Sequence, residues 1–309
     1  MKQVFIGKEK MPASQVVVGA MRLAGFNAGE MADFIHFALD NGVNYFDHAD
    51  IYGGGRSEEV FGEALKADPS IKREDLFIQS KCAIRKGEVS YYDFSKEHIL
   101  NSVDGILKRL GVDYLDALLL HRPDALCEPE EVAAAFDELE KSGKVRRFGV
   151  SNHNPGQIEL LKKCVKQELA INQLQFSICV SNMIARGMEA NMDTPGSVDH
   201  DGGILDYCRL KDITIQAWSP FQMSNWRGTF LGNGEYKELN AVLDKLAAKY
   251  GVSASAIAAA WIARHPAGIQ IIAGTSKKEH LKDIIDGANI TLTRPEWYEI
   301  YLSAGHILP

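Results

Sequence analysis

Eight short β-type runs alternate with helical segments along the chain, and this alternation limits the possible fold more than any other feature. The runs are Ser14–Ala20, Val43–Ala49, Leu76–Lys81, Leu115–His121, Val145–Ser151, Ala170–Gln175, Ile213–Ser219 and Ile269–Thr275. Most lack strict apolar/polar alternation, as strands buried on both faces do. The stretches between them carry helix start and stop signals. AGEMADFIHFALDNG ends on Gly42, and SKEHILNSVDGILKRLG opens on Ser95 and ends on Gly111. PEEVAAAFDELEKSG begins with Pro and acids and ends with Lys and Gly. Strand–helix units at a spacing of roughly thirty residues predict an α/β chain folded as one (β/α)8 TIM barrel, a single domain over residues 1–309. A doubly wound sheet with a second domain would need a linker and a GxGxxG turn after the first strand. VVVGAMRLAGF supplies no such turn. An N-terminal hairpin, VFIGKEKMPAS, is predicted before the barrel, and an extra C-terminal helix in TRPEWYEIYLSAGHILP.

Charge and cysteine usage narrow the class. A formal charge of −7 argues against nucleic acid or an anionic membrane as partner. No apolar run reaches the length of a membrane span, and MKQVFIGKEK lacks the apolar core of a signal peptide. The five cysteines are scattered without metal or disulfide spacing, which fits a cytoplasmic location and no metal site.

In a barrel, function gathers at the C-terminal ends of the strands, and polar residues stand there. The second run ends at Asp47, with Tyr52 just beyond; the third ends at Lys81 and the fourth at His121. A charge at the mouth of an apolar strand needs a partner, and the barrel top brings these ends together. Tyrosine is a poor acid near neutrality, with an ordinary pKa of about 10. A neighbouring lysine ammonium lowers that value, and Asp47 would hold the lysine charged. His121 would orient a carbonyl. The quartet then reads as a general acid that protonates an oxygen, best matched to a carbonyl that receives a hydride from a cofactor. The glycines Gly53–Gly55 read as a tight turn, with Ser57 as the next helix's N-cap and Glu58 and Glu59 in its first turn. Two long connections, Asn182–Gly203 and Phe221–Gly234, read as substrate selectors. Their Met183, Met188, Met192, Trp226 and Phe230 would either line the pocket or pack the loops onto the barrel.

These residues resemble the aldo-keto reductases. NYFDHADIYGGGRSEEVFGEAL, LLLHRPD, KVRRFGVSNHNPGQIELL, QAWSPF and IAGTSKKEHLKD are similar to that family's motifs, in order from Asp47 to Asp283. The resemblance implies NAD(P)H-dependent reduction of aldehydes or ketones, with NADP(H) as cofactor and NAD(H) as the alternative, and a small carbonyl or alcohol as substrate. The catalytic tetrad falls on Asp47, Tyr52, Lys81 and His121. Ser151, Asn152 and Gln173 would hold the nicotinamide amide, and Trp218 would stack on its ring. Ser219 and Pro220 would follow the pyrophosphate. Gly274, Thr275, Ser276 and Lys277 would meet the adenosine phosphate, and Met21 and Arg22 would border the reactive end. The family's usual Phe after Ser-Asn is here His153, and His280 and Asp283 stand where Arg and Asn are common. The reading from another class is a cofactor-sensing interaction subunit with little turnover, like the potassium-channel β subunits.

Overall fold

A computed structural model describes residues 1–309. Eight parallel strands close into a barrel: β3 (Val16–Gly19), β4 (Tyr45–Asp47), β5 (Phe77–Cys82), β8 (Ala117–Leu120), β9 (Phe148–Ser151), β10 (Leu169–Gln175), β11 (Thr214–Trp218) and β12 (Gln270–Ala273). They follow one another around the ring in chain order, with β12 pairing back onto β3. Every one lies within or one residue beyond a predicted run. The hairpin β1 (Gln3–Ile6) and β2 (Met11–Ser14) precedes the barrel, and a small hairpin, β6 (Ile84–Arg85) and β7 (Tyr91–Tyr92), follows β5.

The helices are α1 (Ala28–Asp40), α2 (Arg56–Ala67), α3 (Lys96–Leu110), α4 (Pro129–Lys141), α5 (Pro155–Lys162), α6 (Asn182–Met188), α7 (Ile204–Leu210), α8 (Lys237–Tyr250), α9 (Ala254–Ala263), α10 (Lys278–Asn289) and α11 (Arg294–Ser303). Their ends obey local chemistry. Ser95 accepts from the His98 backbone at the start of α3, and Gly111 at φ +65° ends it. One cap differs from expectation. Ser57 sits inside α2, fully buried, and donates to the Ala20 carbonyl, so it ties α2 to the end of β3 instead of capping.

Two apolar clusters share the molecule. The larger fills the space between strands and helices. The smaller occupies the barrel interior, where Tyr45, Phe77, Leu119 and Ile171 meet Val4, Ile6 and Ala13 of the hairpin. The barrel is thus packed at its floor, and polar residues stand at the other end of the strands.

Candidate active site

The polar ends of the strands converge. Asp47 ends β4, and Lys81 lies near the end of β5; both side chains are buried. Lys81 Nζ lies 2.7 and 2.8 Å from the two Asp47 carboxylate oxygens, and donates to the His48 carbonyl at 2.8 Å and to Tyr52 Oη at 3.1 Å. The Tyr52 and His121 rings meet edge to face at 6.0 Å. Left-handed backbone at Gly53, Gly54 and Gly55 (φ +59°, +66° and +97°) turns the chain just past Tyr52 into α2. At Gly55 a Cβ would stand 2.9 Å from the Arg109 side chain.

A layer of barrel-interior amides holds the carboxylate from below. Asp47 Oδ1 accepts from Gln79 Nε2 at 2.6 Å and from Gln173 Nε2 at 3.1 Å. Both glutamines also donate to Gln216, which donates to Tyr45 Oη and Gln270. Gln79 and Gln216 escaped the sequence reading. Their signal was a glutamine inside each of the apolar strands FIQSKC, LAINQLQ, TIQAW and QIIA. A further buried group lies behind the lysine. Glu58 accepts from Ser80 Oγ at 2.7 Å and from Arg109 Nε at 2.8 Å, and Asp50 keeps one oxygen without a partner. Glu58 is therefore a buried ion-pair member and not merely an acid in a helix's first turn.

Burial sets the protonation states. Burial pulls Lys81 down, but Asp47 and Tyr52 outweigh it, and the ammonium is held above its ordinary range. Burial pushes the Tyr52 phenol up, and Lys81 only partly pulls it back. This corrects the expectation of a net lowered phenol: removing water from around a phenolate costs more than one cation returns. Burial, with Lys81 and Arg122 nearby, lowers His121 well below its ordinary value, so its imidazole is neutral at pH 7; its Nδ1 is buried without a partner. Burial pushes Asp50 up to about 7, with Glu58 adding to the effect.

A cavity of about 740 Å³ opens above these groups. Asp47, Tyr52 and His121 line it, and so do Met21, Arg22, Ser151, Asn152, Gln173, Trp218, Ser219, Pro220, Gly274 and Thr275. Lys81 sits beneath it, reaching it through Tyr52. Ser276 and Lys277 do not line it. Lys277 instead opens α10, with its backbone amide on Thr275 Oγ1, and Lys278 pairs with Asp33. Ser255, His280 and Asp283 take that end of the wall, with Ser255 Oγ 3.0 Å from Asp283. The two long connections part company. Phe221, Gln222, Trp226, Thr229 and Leu231 line the cavity, whereas nothing from Asn182–Gly203 does. Met183 and Met188 pack on the core, Met192 is exposed, and Phe230 is fully buried.

The family model for the Aldo/keto reductase family matches residues 15–301. The chain belongs to that family. A 6-dehydroglucose reductase of Agrobacterium fabrum is 33% identical over 96% of each chain. An uncharacterized oxidoreductase of Bacillus subtilis is 35% identical over 97% of this chain and 98% of its own. Among solved structures, an aldo/keto reductase from Klebsiella pneumoniae in complex with NADP and acetate shares the fold, with a TM-score of 0.76 at 23% identity over 97% and 94% of the two chains. In this chain an aromatic wall stands at Trp218. The Trp218 indole donates to Asn152 Oδ1 at 3.0 Å and lies parallel to Trp226, ring centres 5.3 Å apart.

Proposed function

We propose that this chain reduces aldehydes or ketones to alcohols with NADP(H), Tyr52 giving the proton. The observation that carries the reading is the Asp47–Lys81–Tyr52 chain of contacts ending beside a neutral His121 at the cavity floor. The cavity residues suit a nicotinamide dinucleotide. Gln173 Oε1 meets no donor of the chain, Ser151 and Asn152 stand beside it, and Trp218 offers a flat apolar face. At the far end, Ser255, Thr275 and Asp283 offer acceptors and donors to a ribose. When bound, the cofactor supplies the hydride. The protein's own part is the proton. Tyr52 Oη and His121 together hydrogen-bond the carbonyl oxygen and fix its position. As charge builds on that oxygen, Tyr52 Oη releases its proton to it, and the Lys81 ammonium stabilises the phenolate left behind. Asp47, fixed by two glutamines, keeps Lys81 charged and in place.

An assay of the purified protein with NADPH and NADH against a panel of aldehydes tests this. Cofactor oxidation that depends on the aldehyde is expected. Cofactor binding without turnover of any aldehyde, together with a partner protein whose capture depends on NADPH, would favour the interaction-subunit reading instead.

A further inference from the structure

Two arginines line the catalytic end of the cavity, Arg22 and Arg122, and neither makes an ion pair or a hydrogen bond within the chain. Every carboxylate lining the cavity is already engaged: Asp47 by Lys81, and Asp283 by Ser255. Arg122 is half-buried, one residue past His121, with its guanidinium carbon 5.4 Å from the centre of a Trp218 ring. A half-buried guanidinium beside apolar walls that finds no acid in its own chain has binding capacity to spare.

The ring of strands separates the two arginines. Arg22 follows β3, which pairs with β12, the strand leading to Gly274 and Thr275 at the proposed adenosine end. Arg122 follows β8, four places around the eight-stranded ring from β12, and so across the mouth from it. Arg22 stands on the side of the mouth where the cofactor's reactive end is expected. Arg122 is left to the substrate.

We infer that Arg122 selects a carbonyl substrate that carries an anionic group, a carboxylate or a phosphate, and holds that group across the mouth while the carbonyl rests on Tyr52 and His121. The inference rests on the reductase reading. Its chemistry is a planar guanidinium taking two oxygens of an anion with paired N–H donors, which a lysine ammonium reproduces only in part. Met21, Ile51, Ile84 and Trp226 would cover the substrate's apolar body.

The test compares three aldehydes with the NADPH-loaded protein: 4-carboxybenzaldehyde, its neutral methyl ester, and 4-formylphenyl phosphate. The readout is the ratio of kcat/KM for each anion over the ester, in the wild type, Arg122→Met and Arg122→Lys. Because any effect of Arg122 on Tyr52 or His121 touches all three aldehydes, the ratio isolates anion recognition. The Met variant is expected to lower the ratio about tenfold or more, equal to about 1.4 kcal/mol, with Lys between. The anion that loses most identifies carboxylate or phosphate as the preferred group. A ratio unchanged by Arg122→Met would overturn the inference. Benzoate binding to the loaded protein, followed by nicotinamide fluorescence against benzamide, reads the same contact without turnover. Benzoate binding that weakens tenfold in Arg122→Met, in a protein that turns over no aldehyde, would count against the reductase reading alone. Benzoate binding no tighter than benzamide would count against the anion site.

Discussion

The floor and the rim of the cavity are built on opposite terms. At the floor, Asp47 and Lys81 are buried, and every contact is duplicated: the carboxylate has three donors, and the ammonium three acceptors. At the rim, Trp226 is 64% exposed, and both it and Asn225 sit in left-handed backbone at φ +57°. The connection that carries them is held at its ends, by the buried Phe230 and by Ser177 Oγ on the Gln222 carbonyl. The lesson is a division of labour. Strands fix the groups of the proposed proton chemistry to within a hydrogen bond, and a loop with an exposed tip in left-handed backbone would shape what reaches them.

Substitutions sharpen that contrast, beginning with the floor. Tyr52→Phe is expected to lower kcat/KM by about a thousandfold, within the range for losing a general acid, while nicotinamide fluorescence still reports cofactor binding. Asp47→Ala leaves an uncompensated buried ammonium and is expected to destabilise the fold by about 3–5 kcal/mol, measured by urea unfolding. Gln79→Leu removes one donor to Asp47 and leaves Tyr45 Oη without its acceptor; a loss of about 1–3 kcal/mol is expected.

Behind the floor, Asp50 makes a pH prediction. Its folded pKa, about 7, lies above the ordinary 3.8, so the native state binds the extra proton between those values. Stability from this group is therefore full below about pH 4 and is lost as pH rises toward 7. Asp50→Asn should shrink the fall in Tm between pH 5 and pH 8; an unchanged fall would remove Asp50 from the account. The rim should respond least. Trp226→Ala is expected to change stability by no more than about 0.5 kcal/mol and to shift KM for bulky aldehydes, leaving the floor's hydrogen bonds intact.

What could be read from the sequence follows the same division. All eight strands were visible because parallel strands buried on both faces leave unbroken apolar runs. Asp47, Lys81 and His121 were visible because each stands at the end of such a run, and Tyr52 because it follows Asp47 just before the glycine turn. The glutamine layer was not, since one uncharged polar residue in a short strand disturbs that pattern little. Nor could the sequence rank the two long connections. Asn182–Gly203 folds on itself, with α6 and with Arg186 between Asp199 and Asp201, contacts set by tertiary packing. The Tyr52 phenol was misjudged for a related reason: the lysine is plain in the sequence, but the depth of burial that outweighs it is a property of the folded barrel.

The central claim is that Asp47, Lys81 and Tyr52 act as one proton-delivery device, and a double-mutant cycle tests it most directly. Steady-state kcat with NADPH and one good aldehyde would be measured for Tyr52→Phe, Lys81→Met and the double variant, each confirmed folded by cofactor binding. If the lysine works through the tyrosine, the double variant should lose no more activity than Tyr52→Phe alone. Losses that multiply would show that the two residues serve the reaction independently, and would contradict the claim.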